Sequence, residues 1–313
     1  MAGRAEMTDT VLDLEKAYKY CESVTKLHAK SFYFAAKFLP KHKQKAVFPI
    51  YAFCRHVDDE VDEIAEIKGN DVVQAVEKWK AGLEEIYEGK TNHEQRTTNN
   101  EQNLVFTAWQ DLLRTYKIRQ NLPFELMQGV LMDTHIKRYE TFDDLYVYCY
   151  RVASTVGLMS SEILGYSNKK ALKYAEAMGI GMQLTNILRD IKEDAGMGRI
   201  YLPQEDLRKF DVAEEQIFAN QFDKNFAEMM KFQVERARDF YREGEKGIRL
   251  LEKDSRFTVL LASRIYAKIL DEIERQNYNV FNRRAHTSKT QKFLAMPKIW
   301  LESRRKDIWK SDF

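Results

Sequence analysis

The sequence predicts an all-α protein, and three observations lead to that prediction. It has only 13 Gly and 5 Pro among 313 residues, below the average usage of about 7% and about 5%, so few residues interrupt a helix. Apolar residues recur at steps of three and four along most of the chain. No segment keeps the strict alternation of a β-strand, and no repeat of about 20–50 residues is visible. We therefore expect a single all-α bundle.

The first helices are marked by a capping residue and by a continuous apolar stripe. Helical spacing begins near residue 12, with Asp9 or Thr10 as the N-cap. A long helix is predicted over 41–66, where apolar residues step by three or four without a break, and Pro49 should bend it.

The rest of the chain repeats this helical spacing around one polar loop. Residues 88–103 lose almost all apolar content, and we interpret them as a surface loop rather than a domain linker. On either side of the loop we expect helices over about 71–88, 103–117, 123–139, 142–165, 168–194, 222–251 and 256–281.

The charge balance and the absence of long apolar runs exclude several classes of function. Fifty Lys and Arg stand against 48 Asp and Glu, a formal net charge of +2, so no global basic field draws the chain to nucleic acid. The longest apolar stretch, 147–166, is interrupted by Arg151 and Glu162 and falls short of the roughly 20 clean residues of a membrane span. The N-terminus has no apolar segment typical of a secretory signal, and we expect a cytoplasmic protein.

The three cysteines point to a reducing compartment. Cys21, Cys54 and Cys149 lie far apart and form no C-x-x-C pair. This pattern excludes a zinc cluster and a disulfide framework, and we expect buried free thiols.

Two otherwise apolar helices each carry acidic residues on one face. In the helix over 41–66, Asp58 and Asp62 lie four residues apart, so both carboxylates project from the same side, about 6 Å of rise apart. In the helix over 168–194, oxygen-bearing side chains recur at steps of three, four and four: Gln183, Asn186, Asp190 and Asp194. Like charges placed in this way need a counter-charge or exposure to water.

A divalent cation would supply that counter-charge. Carboxylate and amide oxygens are hard ligands that suit Mg²⁺, with Mn²⁺ as an alternative, and Mg²⁺ shares its remaining positions with water and substrate phosphates. A single D-x-x-x-D is typical of a solvated helix face, but two of them in apolar helices indicate a metal site. The implied substrate is a phosphate ester.

Further side chains could supply the donors that a diphosphate needs beyond the metal ions. The candidates are His28, Lys30 and Ser31 in KLHAKSFYF, Arg55 one turn before Asp58, and Arg264 with Tyr266 in LLASRIYAKIL. Taken singly, each is also typical of an ordinary ion pair or surface residue.

With these motifs in this order, the sequence resembles the squalene/phytoene synthases, which join two prenyl diphosphates head to head. The matching strings are HAKSFYFAAKFLP (28–40), IYAFCRHVDDEVDE (50–63), MDTHIKRYETFDDLYVYCYRVASTVG (132–157), QLTNILRDIKEDAGMGRIYLP (183–203) and RIYAKILDEI (264–273). The resemblance implies a single-domain isoprenoid-synthase bundle around a central cavity. We expect this domain to comprise residues 1–313, with a core over about 12–281 and a basic C-terminal segment over 282–313.

The resemblance also implies roles for individual residues. Metal ligands would be Asp58 and Asp62 on one helix, and Asn186, Asp190 and Asp194 on the facing helix. Substrate-binding residues would be His28, Lys30, Ser31, Arg55, Gln183, Asn186, Arg264 and Tyr266. The catalytic set would be Tyr148, Tyr201, Arg55, Asp58, Asp62 and Asp190, with the two tyrosines near the reacting carbons. Asp133 falls where the family has an aspartate in its M-D motif.

The implied reaction is a 1-1′ condensation in two steps. Mg²⁺-assisted loss of one diphosphate gives an allylic cation that alkylates the second substrate into a cyclopropylcarbinyl diphosphate. Loss of the second diphosphate, rearrangement and proton loss then yield a linear hydrocarbon, and NADPH is not expected to be required. The AGMGR segment (195–199) is either a lid over the diphosphates or a turn.

The residues favour the C20 substrate only slightly. Ala36 is small beside the aromatic SFYF turn, which favours phytoene from two geranylgeranyl diphosphates. Ser154 stands where the family usually has Gly, and its hydroxymethyl group could narrow the cavity or perturb helix packing. Dehydrosqualene or squalene from two farnesyl diphosphates is therefore the alternative.

Two other functions remain as alternatives. A terpene cyclase or prenyl diphosphatase would use the same acidic faces and ionise one substrate without coupling it to another. The other alternative is a non-catalytic helical interaction protein. In such a protein the acidic motifs should be eroded, whereas this chain keeps them.

The basic C-terminal segment has two open interpretations. Residues 281–313 contain nine Lys or Arg against three acids, together with Trp300, Ile308 and Trp309. This composition could form an amphipathic helix on an anionic membrane surface, with the enzyme peripheral to that membrane. The other interpretation is a helix that caps the bundle.

Overall fold

The computed structural model describes residues 2–65, 69–90 and 100–304, and their side chains over 13–60, 72–90, 101–288 and 290–304. Within these ranges the chain is helical and has no β-strand, so the predicted all-α class is confirmed. The α-helices are α1 (Ala2–His28), α2 (Lys30–Ala36), α3 (Lys41–Ala65), α4 (Gly69–Tyr87), α5 (Asn100–Thr115), α6 (Asn121–His135), α7 (Phe142–Cys149), α8 (Thr155–Leu164), α9 (Lys170–Gly196), α10 (Gln204–Lys209), α11 (Glu214–Phe218), α12 (Lys224–Lys246), α13 (Lys253–Arg275) and α14 (Lys289–Arg304).

The predicted helices are present, with local differences. α1 continues through Asp9 and Thr10, so the expectation that one of them is an N-cap is wrong. The helix expected over 142–165 is interrupted by a π-helical turn, Tyr150–Ser154, a rare geometry that is frequent at functional sites. α10 and α11 are too short for apolar spacing to predict.

Two apolar clusters form the core. The first is built by α1, α3, α4, α5, α6 and α8, and in it Phe53 lies 5.8 Å from Trp79 and 5.0 Å from Trp109 between ring centroids. The second is built mainly by α7, α9, α12 and α13, and here Phe226 lies 4.7 Å from Phe281. Burial of these rings supplies much of the hydrophobic stabilisation.

A buried lysine ties the first part of the chain to α13. The Lys43 ammonium, on a residue only 4% exposed, donates to Glu252 (2.6 Å), to Asp254 (2.7 Å) and to the carbonyl oxygen of Leu164 (2.9 Å). Because an unpaired ammonium is costly to bury, this network holds the start of α3 against the start of α13.

The π-helical turn packs closely on α9 at Ser154. This side chain is fully buried and donates to the carbonyl oxygen of Glu176 at 2.8 Å. Opposite it, a Cβ atom on Gly179 would lie 2.5 Å from the Cα atom of Ser154, closer than real Cβ atoms come to other atoms. The hydroxymethyl group is therefore accommodated in the packing between the π-helical turn and α9, and the expectation that it narrows the cavity or perturbs the packing stays a prediction.

Candidate active site

The acidic face of α3 is partnered by an arginine on the same helix. The Nε atom of Arg55 donates to Asp59 at 2.9 Å, and its guanidinium lies 3.7 Å from the Asp58 carboxylate. These residues are three and four positions apart, the spacing at which helical side chains meet. The Asp58 side chain is 49% exposed and so remains accessible. The side chain of Asp62 lies outside the described residues.

The predicted polar face of α9 is continuous and is covered by α13. The Nδ2 atom of Asn186 donates to Gln183 at 3.0 Å, and the hydroxyl of Tyr266 donates to the Oδ1 atom of Asn186. The guanidinium of Arg189 lies 3.4 Å from the same hydroxyl. The structure thus brings Gln183, Asn186 and Tyr266 together.

Asp190 is held by two guanidinium groups. Arg189 donates to it from Nε at 2.8 Å, and Arg284, from the segment after α13, makes two hydrogen bonds of 2.7 and 2.8 Å. Burial alone would raise the pKa of Asp190, but the hydrogen bonds from Arg189 and Arg284 outweigh it and hold that pKa below its ordinary value. Asp190 is therefore charged at neutral pH.

Asp194 lies one turn further along α9, where negative charge is in excess. Burial raises the pKa of Asp194 to about 8, and the carboxylates of Asp190 and Asp133 act in the same direction. A cavity of about 10 Å³ beside it is lined in part by Arg199 and Tyr201, which is room for about one water molecule.

The AGMGR segment forms the C-terminal cap of α9. The backbone N–H of Arg199 donates to the carbonyl oxygen of Asp194 at 2.9 Å, and that of Gly198 donates to Ala195 at 2.9 Å. This is a Schellman motif, which requires the positive φ of +76° that Gly198 adopts. The guanidinium of Arg138 donates to the Gly198 carbonyl oxygen at 2.8 Å. Of the two interpretations of residues 195–199, a turn describes this geometry. A lid motion over the diphosphates stays a prediction.

Tyr51 links the acidic face of α3 to α13. Burial raises the pKa of the Tyr51 phenol to about 12, opposed by Arg55 and reinforced by Asp58 and Tyr266. Asp58 and Tyr266 are therefore both near the Tyr51 ring, and we take the polar faces of α3 and of the α9–α13 pair as the two sides of the candidate site.

Arg264 is not brought into this space. Its guanidinium donates to Glu245 on α12 at 2.7 Å and is about half exposed. Residues two positions apart on a helix point about 200° apart, so Arg264 and Tyr266 cannot share a face. The structure therefore places Arg264 beside α12, and its contact with a diphosphate stays a prediction.

Basic side chains from two helices meet at the start of α2. The Nζ atom of Lys292, on α14, donates to the Ser31 hydroxyl at 2.6 Å. Burial lowers the pKa of Lys292, and the nearby Lys30 lowers it further. Among the side chains that the structure describes, neither lysine forms an ion pair with a carboxylate. His28 lies exposed at the end of α1. Two neighbouring cations and a hydroxyl are suited to an anion such as phosphate.

Asp133 joins the two tyrosines that the sequence singled out. Tyr148 donates to one of its carboxylate oxygens at 2.9 Å and Tyr201 to the other at 2.7 Å. The two rings stack with centroids 5.1 Å apart, and Tyr139 stacks on Tyr201 at 5.9 Å. Burial raises the phenol pKa values of Tyr148 and Tyr201 above their ordinary range, and Asp133 raises them further.

Sequence reasoning missed three basic residues that the structure places at these polar faces. Arg189 directly precedes Asp190, and that adjacency could have identified it. Arg284 and Lys292 lie in the basic C-terminal segment, where their charge suggested a surface role instead. Nothing in local spacing indicates that this segment crosses α9 at Arg284 and reaches α2 at Lys292.

The donor set fits a hard divalent cation. The side chains of Asp190, Asp194 and Asp58 offer carboxylate oxygens and that of Asn186 an amide oxygen. Burial raises the pKa of Asp194, and the nearby carboxylates of Asp190 and Asp133 raise it further, a charge excess that a cation would relieve. Among the described side chains, no three His, Cys, Asp or Glu are already grouped as a metal site, and two arginines hold Asp190 instead.

Comparisons with known proteins agree on one family. The family model described as squalene/phytoene synthase matches residues 25–291. The 15-cis-phytoene synthase of Synechocystis is 37% identical over 302 residues, which are 93% of this chain and 86% of that protein. Phytoene synthase 2, chloroplastic, of Solanum lycopersicum is 38% identical over 296 residues, 93% of this chain and 92% of that protein.

Solved structures with the same fold carry related activities. A dehydrosqualene synthase in complex with a ligand superposes with a TM-score of 0.84 at 30% identity, covering 94% of this chain and 99% of that one. The squalene synthase HpnC from Alicyclobacillus acidocaldarius superposes with a TM-score of 0.75 at 26% identity, covering 86% of this chain and 97% of that one.

Proposed function

Because the chain belongs to the squalene/phytoene synthase family, we propose that it is a prenyltransferase that condenses two geranylgeranyl diphosphates head to head to phytoene. The reaction belongs to isoprenoid and carotenoid biosynthesis. The single observation that carries the proposal is the polar face of α9, which runs from Asn186, where Tyr266 donates a hydrogen bond, to Asp190, which Arg189 and Arg284 hold.

The oxygen donors of α3 and α9 would hold the metal ions. The proposed ligands are Asp58, Asp62, Asn186, Asp190 and Asp194. Mg²⁺ fits these hard donors, with Mn²⁺ as an alternative. When bound, such an ion neutralises the diphosphate charge and so favours its departure as a leaving group.

Basic side chains on both sides would bind the diphosphate groups. At the start of α2, hydrogen-bond donors come from Lys30, Ser31 and Lys292. Beside Asp190, two guanidinium groups are available, those of Arg189 and Arg284. A guanidinium fork binds phosphate with the same geometry as carboxylate. Arg189 and Arg284 can therefore move from the Asp190 carboxylate to a phosphate without losing charge-assisted hydrogen bonds.

The tyrosine pair would face the cationic steps. Tyr148 and Tyr201 each donate their proton to Asp133 and stack on one another, so a cation would meet a ring face that this stack leaves open rather than a phenol proton. Their raised pKa values keep both phenols neutral, so neither becomes a phenolate that a carbocation would alkylate. Ring faces stabilise a cation without reacting with it.

The last step would be loss of a proton, and NADPH would not be required. Ionisation of the first substrate and coupling to the second form the cyclopropylcarbinyl diphosphate. Its ionisation and rearrangement leave a cation, and release of one proton from carbon forms the central double bond. A synthase that made squalene would instead need a hydride donor at this step.

We also propose that the enzyme works on the cytoplasmic side of a membrane and peripheral to it, through the C-terminal segment 282–313. None of the described helices is long and apolar enough to cross a bilayer. On α14, Phe293, Leu294 and Leu301 are exposed, and they lie within about 100° of one another around the helix axis, so all three side chains could enter a membrane surface together. Ile308 and Trp309 lie outside the described residues.

Co-sedimentation with phosphatidylglycerol vesicles tests the membrane contact. We expect Leu294→Glu with Leu301→Glu to reduce vesicle binding, whereas Val73→Glu, a similarly exposed apolar residue on α4, should not. Equal binding by all variants would contradict the contact.

Product analysis tests the proposed function. The purified protein is incubated with Mg²⁺ and either C15 or C20 prenyl diphosphate, with and without NADPH, and the hydrocarbons are identified by mass spectrometry. We expect a C40 product from the C20 substrate without NADPH. A C30 product from the C15 substrate would assign dehydrosqualene or squalene synthesis, and monomeric terpenes or prenyl alcohol would assign a cyclase or diphosphatase.

A further inference from the structure

Two connecting segments run side by side next to the tyrosine pair. Residues 137–142 lead from α6 into α7, and residues 198–205 lead from α9 into α10. Arg138 and Ile200 form a parallel β-bridge between them. Three backbone N–H groups of the second segment donate to carbonyl oxygens of the first: Ile200 to Lys137 (3.1 Å), Gln204 to Tyr139 (2.9 Å) and Glu205 to Glu140 (3.0 Å). We call these two segments the parallel seam.

The register of the parallel seam decides where the ring of Tyr201 lies. Tyr139 comes from the first segment and Tyr201 from the second, and their rings stack with centroids 5.9 Å apart. The hydroxyl of Tyr201 also donates to Asp133 at 2.7 Å. Successive side chains of an extended segment point to opposite sides, so a slip of one residue would turn Tyr201 away from Asp133. The tyrosine pair therefore depends on this register.

The guanidinium of Arg138 joins both segments of the parallel seam. Its Nη1 atom donates to the carbonyl oxygen of Lys137 on its own segment at 2.7 Å and to that of Gly198 on the other segment at 2.8 Å. Its Nε atom donates to the carboxylate of Glu214, the first residue of α11, at 2.7 Å. Because a guanidinium holds its donors in a fixed plane, these hydrogen bonds form together in only one register.

Glu214 extends this connection to the far end of the second segment. Its carboxylate accepts a hydrogen bond from the Nε2 atom of Gln204 at 2.7 Å. The hydrogen bond from Arg138 holds the pKa of Glu214 below its ordinary value, although burial acts in the opposite direction, so this carboxylate is charged at neutral pH. Through Arg138 and Glu214, the segment is held at Gly198 and at Gln204, and Tyr201 lies three residues from each.

The pair is also partly shielded from water. The side chains of Arg138 and Glu214 are 30% and 29% exposed, and the ring of Phe218 lies 5.3 Å from the guanidinium carbon. Partly buried charges are screened less by salt than exposed ones. The Arg138–Glu214 pair can therefore hold the parallel seam more firmly than an ion pair on the surface.

We propose that Arg138 and Glu214 are positioning residues, which hold Tyr201 against Asp133 by fixing the register of the parallel seam. The proposal rests on the proposed function for the catalytic role of Tyr201. Neither Arg138 nor Glu214 has to contact the substrate for this effect. Since they act through the placement of a ring that would face a carbocation, they affect the cationic steps and not diphosphate binding.

Steady-state kinetics of Arg138→Gln test the proposal on the full chain. We expect kcat for the C40 hydrocarbon to fall about tenfold or more, because a displacement of about 1 Å can slow a reaction by up to about 100-fold. KM for geranylgeranyl diphosphate should stay unchanged. Glu214→Gln removes the charge but keeps the side-chain size, and it should lower kcat less, again at constant KM. Unchanged kcat in both variants, or a rise in KM alone, would overturn the proposal.

A double-variant cycle distinguishes positioning from a general structural role. In a chain that carries Tyr201→Leu, no ring is left to position, so the addition of Arg138→Gln should lower kcat no further. If the two losses in kcat multiplied instead, Arg138 would act independently of Tyr201. That result would overturn the positioning role.

Arg208→Gln is the matched control. Arg208 on α10 pairs with Glu140 across the same parallel seam, but the two side chains are 62% and 64% exposed, and such exposed pairs contribute little. Both kcat and KM of Arg208→Gln should equal those of the wild type. A loss of kcat as large as that of Arg138→Gln would overturn the particular role of the Arg138–Glu214 pair.

A measurement without substrate keeps this proposal separate from the proposed function. The probe is 3-fluorotyrosine incorporated at position 201 of the full chain, and its fluorine resonance should shift or broaden in Arg138→Gln but not in Arg208→Gln. An unchanged resonance in Arg138→Gln would remove the positioning role even if the wild type formed a C40 hydrocarbon. A shifted resonance, with no hydrocarbon from the wild type, would keep the hold on Tyr201 and remove the synthase assignment.

Discussion

Arg284 makes a bidentate pair with Asp190, with its Nε atom 2.7 Å from Oδ1 and its Nη2 atom 2.8 Å from Oδ2. The two residues are 94 positions apart, and Arg284 comes from the segment between α13 and α14. A bidentate pair between a guanidinium group and a carboxylate is both strong and directional. This pair therefore fixes the start of the C-terminal segment across the polar face of α9.

Replacing Arg284 should weaken substrate binding more than it weakens the fold. Arg284→Gln removes the fork, and because the side chain is 52% exposed little stability should be lost. We expect KM for the prenyl diphosphate to rise about tenfold, measured by steady-state kinetics beside a thermal melt. Arg283→Gln, at the exposed neighbouring position, is the control. An unchanged KM in Arg284→Gln would argue against a diphosphate contact.

Neutralising one carboxylate on either acidic face should abolish most turnover. Asp58→Asn and Asp190→Asn keep the side-chain size but remove the charge that would hold the metal ion, and we expect turnover to fall about 100-fold or more. Circular dichroism should show the helical content retained. Asp143→Asn, exposed on α7, should behave like the wild type. Near-normal turnover of Asp58→Asn or Asp190→Asn with Mg²⁺ would refute the ligand assignment.

The tyrosine pair can be tested against a matched tyrosine elsewhere. Tyr148→Phe leaves an oxygen of the buried Asp133 without its donor, which should lower the free energy of unfolding by about 1–3 kcal/mol. If Tyr148 also lies near the reacting carbons, the same variant should change the turnover number or the product distribution. Tyr18, also buried, donates to Asp111 at 2.9 Å in the first core cluster. Tyr18→Phe should therefore lower stability alone. Equal effects of the two variants on turnover would leave Tyr148 with only a structural role.

The close contact between the π-helical turn and α9 predicts a strong effect at Gly179. In Gly179→Ala the new Cβ atom would meet the backbone of Ser154 at 2.5 Å, and we expect about 1–3 kcal/mol of destabilisation by urea unfolding. Gly196→Ala is the control on the same helix, because no atom outside the helix lies within 4 Å of its Cβ position. If Gly179→Ala were as stable as Gly196→Ala, the helices could not be packed as described.

The buried network of Lys43 should matter for stability and not for catalysis. Lys43→Met removes the shared cation of Glu252 and Asp254 and the donor to the Leu164 carbonyl oxygen. Because the two carboxylates are 58% and 42% exposed and water can solvate them, we expect stability to fall by about 1–3 kcal/mol. Lys41→Met, at an exposed position on the same helix, should cost little. The denaturant midpoints of unfolding measure the stability of both variants. If the midpoint of Lys43→Met shifted as little as that of Lys41→Met, the role of the network would be contradicted.

Local spacing predicted what depends on one helix at a time. The steps between Gln183, Asn186 and Asp190 placed them on one face, because a helix turns by a constant angle per residue. The same rule predicts that Arg264 and Tyr266 point to different sides of α13, as their hydrogen-bond partners on α12 and α9 show. The π-helical turn was not predicted, because it lies inside a continuous helical segment and Tyr150–Ser154 contains no Gly or Pro to mark it.

The sequence by itself determined the all-α class, the long helices and the two acidic faces, since these follow from short-range periodicity and from side-chain chemistry. Only the tertiary structure decided that Arg284 lies on Asp190, that Lys292 reaches Ser31, and that Asp133 receives both Tyr148 and Tyr201. These contacts join residues distant in sequence. They depend on how helices pack and where the chain passes between them, which no local pattern encodes.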